Sequence, residues 1–396
     1  MNDVNYIKKK NEYDDALAKA YKLLEKNNEW EKRYKGYITT INETFFPIQC
    51  RLVREVVQIN WPLAAYLNIS SVTKSGMNLD LRLYGTSIAT LFVKVDSLTK
   101  DEYRFIKEDS FDRIDKNRIN SCVKISFKDK RSAFQELIGR SPMKKTQVIK
   151  DEFICDEYWD IAFIDELLDG ADYYSWHDKN IEKFRSIIKQ IYKNNGFIAT
   201  NEHAHESNIL HLMNGKSEYF YAMKPVLLEK CFFQMPTPFK GSNAKKDVLE
   251  YASNNGGGID ILARKKLGSK NELCVIEIKD KYEYGEEPIH AIKQAISYAA
   301  FLMKLIQSDY GELWYRYFGI NSPKTNCNIN AVIAMPYKAD KTSVSDEDVL
   351  FDNMVLDAGS GCTITLNYMY YSEQIFYSKE YKDENIVVSI KRDKMK

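Results

Sequence analysis

The spacing of apolar and polar positions changes character several times along the chain. Residues 3 to 35 place Leu17, Ala20, Tyr21 and Leu24 at helical spacing, with lysines and glutamates on the other faces, which predicts a helix. From about residue 45 to 130 the runs shorten. MNLDLRLYG, SIATLFVKV and SCVKISF alternate or cluster β-forming residues between turn residues and predict strands. Residues 1–175 therefore read as an α+β N-terminal domain. Helical periodicity returns near residue 178 in NIEKFRSIIKQIYKNNG, which Gly196 closes, and again from Ser217 to Glu229, interrupted at Pro225. Next come FFQMPTPF, a strand broken by prolines, and two strands in GIDILARK and ELCVIEIKD. A long helix, PIHAIKQAISYAAFLMKLIQ, opens on Pro288, and two late strands follow in NINAVIAMP and CTITLNYMYY. Residues 176–396 are thus expected to form an α/β unit, a mixed central sheet flanked by helices.

The two strands in the middle of that unit carry the chemistry. A two-residue period puts Leu273, Val275, Glu277 and Lys279 on one side, with Cys274, Ile276 and Ile278 on the other. A hairpin through KLGSKN would bring Asp260 to Glu277 near one end of the pair. Two adjacent carboxylates raise each other's pKa unless a cation lies between them. Oxygen ligands suit Mg²⁺, which readily bridges to a phosphate. A neighbouring lysine can orient or deprotonate a water and balance charge on the phosphate.

Asp260, sixteen intervening residues and Glu277-Ile278-Lys279 resemble the defining motif of the PD-(D/E)XK (restriction-endonuclease-like) nuclease superfamily, with Ile259 where a proline is usual. A second Glu-x-Lys, Glu380-Tyr381-Lys382, lies in the polar segment SKEYKDEN with no apolar strand around it. On the following helix, Ile289, Ile292, Ile296, Ala299, Met303 and Ile306 mark the buried stripe, and His290, Gln294 and Tyr298 mark another. Many members of the superfamily carry a Gln with a Tyr four residues later beside the active site, and QAISY looks like that element. They also tend to place an acidic residue on the helix before the first core strand. Glu218 takes that role here, with Glu229 as its rival and Glu250 behind both. The resemblance spans about residues 200–370. It implies a restriction-endonuclease-like core and an endonuclease that hydrolyses phosphodiester bonds, DNA favoured, in restriction or another defence. Mg²⁺ is the expected cofactor, with Mn²⁺ substituting. Asp260, Glu277 and Glu218 would hold the metal, and Lys279, Gln294 and Tyr298 would complete the catalytic set. A homodimer would suit cleavage of both strands of a duplex.

Two other classes compete. The fold could serve as a non-catalytic nucleic-acid-binding or assembly module. Alternatively, NEHAHESNILH could place His203 and His205 on a strand as zinc ligands, assisted by Glu202 or Glu206, although a surface turn is the plainer reading. The triple glycine at 256–258 lacks the GK[ST] of a P-loop and reads as a flexible turn. Composition narrows the field only slightly. Seven scattered cysteines without a CxxC pair point away from thiolate zinc or a disulfide framework. A net charge of +1 favours neither presence nor absence of a nucleic-acid partner. With no apolar run long enough to span a bilayer and no secretory signal at MNDVNYIKKKNEYDD, the expected location is cytoplasmic. Nuclease cores read little sequence, so the N-terminal domain is expected to capture the substrate, with Arg51, Arg54, Lys144 and Lys145 as candidate contacts.

Overall fold

The computed structural model describes residues 3–43, 45–56, 63–83, 85–127, 147–149, 152–154, 174–175, 202–215, 223–228, 231–240, 249–254, 256–268, 270–279, 288–320, 326–337 and 350–372. Three helices open the chain: α1 (Asp3–Lys26), α2 (Glu29–Asn42) and α3 (Phe45–Val56). α1 buries Tyr13, Leu17, Ala20 and Leu24, the stripe expected from its sequence. α3 corrects the strand-like reading from residue 45. Phe46, Gln49, Val53 and Val56 recur every three or four positions and are all buried, and Pro47 stands in the first turn, where its missing N–H costs nothing.

The next elements are β1 (Leu63–Leu67), β2 (Gly76–Leu83), β3 (Thr86–Lys94), α4 (Lys100–Lys107), α5 (Lys116–Asn120) and β4 (Val123–Phe127). β5 (Gln147–Ile149) and β6 (Glu152–Ile154) pair with each other, and β7 (Tyr174–Ser175) pairs with β4. The expected helix from residue 178 to 196 lies outside the described residues. α6 (Glu202–Gly215) then leads to β8 (Met223–Pro225), β9 (Leu227–Leu228) and β10 (Cys231–Phe233). The helix expected over 217–229 is therefore replaced by strand at 223–228. Pro225 sits in β8, an edge strand that pairs with β11 alone among the described residues, so its lack of a donor is tolerated there and would break a helix.

β1 pairs in parallel with β10, which gives a mixed seven-stranded sheet in the order β7-β4-β3-β2-β1-β10-β9. Strands from both sides of residue 176 thus share one sheet. The second sheet is built from β8, β11 (Ile261–Leu267), β12 (Lys270–Ile278), β13 (Asn328–Tyr337), β14 (Val355–Gly359) and β15 (Cys362–Ser372), in the order β14-β15-β13-β12-β11-β8. β12, β13 and β15 run parallel, and the other pairings are antiparallel. The protein is α/β, with two mixed sheets and helices. No helix among the described residues is long and apolar enough to cross a membrane.

Between β12 and β13 run α7 (Pro288–Gln307) and α8 (Gly311–Phe318). From Ala295 to Met303 every residue of α7 is buried, not just one stripe. β12 and β13 pack on one side of it and α1 on another. α2 contributes Trp30 and Tyr34, whose rings lie 5.7 and 4.8 Å from that of Phe301. A helix enclosed in this way loses its amphipathic signature in sequence.

The two sheets are joined by the segment after β10. Ile259 donates its N–H to the Met235 carbonyl at 2.9 Å, and Thr237 donates to the Gly257 carbonyl at 2.8 Å. The triple glycine is therefore a close backbone crossing and not simply a loose turn. A Cβ at Gly256 would strike the carbonyl oxygens of Thr237 and Phe239. Gly256→Ala should destabilise the protein by about 2–4 kcal/mol, read as a melting-temperature drop of several degrees. A wild-type melting curve would refute the tight crossing.

Candidate active site

β11 and β12 form the hairpin that the sequence predicts, turning at Gly268, whose φ of +60° is the left-handed conformation glycine favours. The register sets Ile261 opposite Ile276, so Asp260, one residue earlier, falls beside Glu277. Asp260 Oδ2 accepts the backbone N–H of Ile278 at 2.9 Å, which fixes the carboxylate at the end of β12. Glu277 lies on an interior strand between β11 and β13 and is 1 % exposed. Lys279 Nζ donates to Glu277 Oε1 at 2.6 Å, and its backbone N–H bonds to the Ala334 carbonyl.

Electrostatics mark this strand end as costly to build. Burial holds the Asp260 carboxyl well above the usual carboxylate range, and the charges of Glu277 and Glu206 push the same way. Burial opposes the Lys279 charge, but Glu277, Glu202 and Asp260 outweigh it and raise its pKa. Lys279 is therefore held as an ammonium ion. Lys279 keeps a side-chain exposure of 12 %, more than Glu277 beside it.

α7 supplies the expected pair. Gln294 Nε2 donates to the Tyr298 hydroxyl at 3.0 Å. Tyr298 is buried, and both burial and the Glu277 charge raise its pKa, which places it within electrostatic reach of the strand end.

Glu218 and Glu229 lie outside the described residues. Glu250 is exposed and paired with Lys240 at 2.6 Å, which removes it from the site. The acidic side chains that do reach the site come from α6, in a segment read as a strand or turn. Glu202 Oε2 stands 4.0 Å from Lys279 Nζ. Glu206, 1 % exposed, accepts from Gln234 Nε2 at 2.9 Å and lies 3.5 Å from Arg82 Nη1. One helical turn apart, the two share a face of α6. Their Glu-x-x-x-Glu spacing is the sequence signal that was available.

The same helix overturns the zinc reading. Positions two apart on a helix differ by about 200° in direction. His203 is exposed, with Nδ1 3.4 Å from Glu206 Oε2 and its pKa raised by that bond, whereas His205 is 2 % exposed. The two imidazoles cannot share an ion. Compared with models of protein families, with curated proteins and with solved structures, the chain matches none.

Of the proposed nucleic-acid contacts, Arg51 donates to the Ile106 and Lys107 carbonyls, and Arg54 pairs with Asp109 at 2.6 Å. Both close the C-terminal end of α4, so the structure gives them work within the chain. Lys144 and Lys145 lie outside the described residues. Among the described residues no three or more His, Cys, Asp or Glu side chains are gathered to hold an ion. The donor chemistry nevertheless suits a hard divalent cation: Asp260 and Glu277 offer buried carboxylate oxygens in mutual repulsion, which such a cation would relieve.

Proposed function

We propose that this protein is a metal-dependent nuclease with a restriction-endonuclease-like core, hydrolysing phosphodiester bonds with DNA as the favoured substrate. The observation that carries the reading is the juxtaposition at one strand end: Asp260 bonded to the Ile278 amide, with Glu277 buried next to Lys279. The chain order of hairpin, helix α7 and parallel strand β13 supports it, as does the Gln294–Tyr298 pair.

Asp260 and Glu277 would hold Mg²⁺ or Mn²⁺, which supplies Lewis acidity toward the phosphoryl oxygens when bound. Lys279, kept protonated, donates hydrogen bonds to a water or to the scissile phosphate and stabilises negative charge there. Glu202 and Glu206, on the helix before the hairpin, are the acidic residues that α6 brings toward the site. Gln294 and Tyr298 support the wall behind Glu277.

The test is incubation of the full chain with supercoiled plasmid and with single-stranded DNA and RNA, in Mg²⁺, Mn²⁺ or chelator. Cleavage that requires the divalent ion is expected. Tight binding without cleavage in either metal would reject the enzyme in favour of a binding module.

A further inference from the structure

A second polar cluster lies behind the candidate site, and it belongs to the other sheet. Arg82 is on β2, where the pairing with β3 shifts register between Leu81 and Arg82. Such bulges redirect a side chain. The Arg82 side chain is 14 % exposed, and all three of its guanidinium nitrogens have a partner. Nε donates to Asp80 Oδ2 at 2.8 Å, Nη2 donates to Gln234 Oε1 at 2.8 Å, and Nη1 faces Glu206 Oε1 at 3.5 Å. The Tyr66 ring lies beneath it, 4.1 Å from the guanidinium carbon. Tyr66 in turn bonds through its hydroxyl to Ser207 Oγ at 2.8 Å.

Apart from the bond to Asp80 on the same strand, these contacts end on residues attached to the site. Glu206 and Ser207 lie on α6, which carries Glu202 to within 4.0 Å of Lys279. Gln234 precedes Met235, whose carbonyl holds the amide of Ile259 beside Asp260. A planar guanidinium with directed donors fixes both partners at once, and a point charge does not. Buried charge networks of this kind are costly to build and specify one arrangement when fully bonded.

We propose that Arg82 is a positioning residue for the nuclease site, and that the seven-stranded sheet, through Arg82, Gln234 and Tyr66, sets the place of α6 and of the strand entering Asp260. The inference rests on the nuclease reading for its kinetic consequence. It also changes the part assigned to the N-terminal half, which becomes a component of the catalytic framework and not only a detachable substrate reader. A fragment beginning at residue 176 would lack Arg82 and Tyr66 and would leave β10 without its β1 neighbour.

The experiment uses the full chain with Arg82→Met, Arg82→Lys and Gln234→Leu. Arg82→Met should lower kcat at least about tenfold with KM for DNA within about twofold, and Arg82→Lys should recover only part of the loss. Gln234→Leu, which removes two of the bonds without changing charge, should show the same pattern more weakly and decides the matter if Arg82→Met does not fold. A wild-type kcat in both Arg82→Met and Gln234→Leu overturns the proposal. So does a loss confined to KM with a shallower salt dependence, which would make Arg82 a phosphate contact. Hydrogen exchange on the same variants needs no activity. Faster exchange in α6 and at residues 276–279 supports the proposal, and a change limited to β2 and β10 overturns it. A wild-type protein that cuts no nucleic acid would remove the nuclease reading alone, and the exchange data would still decide the role of Arg82.

Discussion

Asp260→Asn should reduce metal-dependent cleavage by about a thousandfold or more and, in chelator, should melt at a higher temperature than the parent protein. The two effects have one origin. Asp260 is surrounded by protein and by the like charges of Glu277 and Glu206, so its carboxyl binds a proton more tightly in the folded state than in the unfolded one. A carboxyl raised in this way makes the metal-free protein lose stability as pH rises from the ordinary carboxylate pKa through the folded-state value. The slope approaches about 1.4 kcal/mol per pH unit for a single proton. Asparagine keeps an oxygen to accept the Ile278 N–H and carries no charge, so the slope should flatten. Melting curves from pH 5 to 8 with chelator provide the measurement. A variant that melts below the parent at pH 8 would show that Asp260 is not held at a cost in stability.

Lys279→Met should lower kcat by about a hundred- to a thousandfold with little change in KM, because the lost interaction matters most as charge develops on the phosphate. Lys279→Arg should recover little, since a planar fork cannot take the place of a compact ammonium 2.6 Å from Glu277 and 4.0 Å from Glu202. Removing the ammonium also takes away the cation that Glu277 meets while almost fully buried. The variant should therefore be less stable in chelator and gain more melting temperature from Mg²⁺ than the parent does, because the ion then supplies the missing charge. Parent-like turnover would remove Lys279 from the chemistry.

What could be read in the sequence is local. The hairpin and the meeting of Asp260 with Glu277 and Lys279 follow from a two-residue period and one turn. Spacing puts Gln294 and Tyr298 on one stripe of a helix whose limits are set by Pro288 and the apolar run, and only the family resemblance assigns that pair to the site. Glu202 and Glu206 were seen but assigned to the wrong element. α6 buries His205, Glu206 and Ser207 beside Ile209 and Leu210, so it has no clean apolar face to announce a helix. Arg82 could not have been found, since its bond to Glu206 spans 124 positions and depends on a bulge that no periodicity reveals. Ser217–Glu229 misled because its apolar residues suit either element, and only the edge position of β8 makes Pro225 compatible with a strand.

The docking of α1 also bears on how the chain matures. Its buried stripe rests against α7, Tyr21 donates to the Ala358 carbonyl at 3.2 Å across 337 positions, and Glu25 meets Lys304 at 3.0 Å. α1 is thus made well before α7, and its bond to Ala358 waits until 337 further positions have been added. At about 5–20 residues per second that delay is roughly 15–70 s, during which Tyr13, whose ring meets that of Phe351, remains available to other apolar surfaces. Contacts of such long range slow folding, so the newborn chain should depend on a holding chaperone at α1 more than at the β11–β12 hairpin, whose two strands pair as soon as both are made.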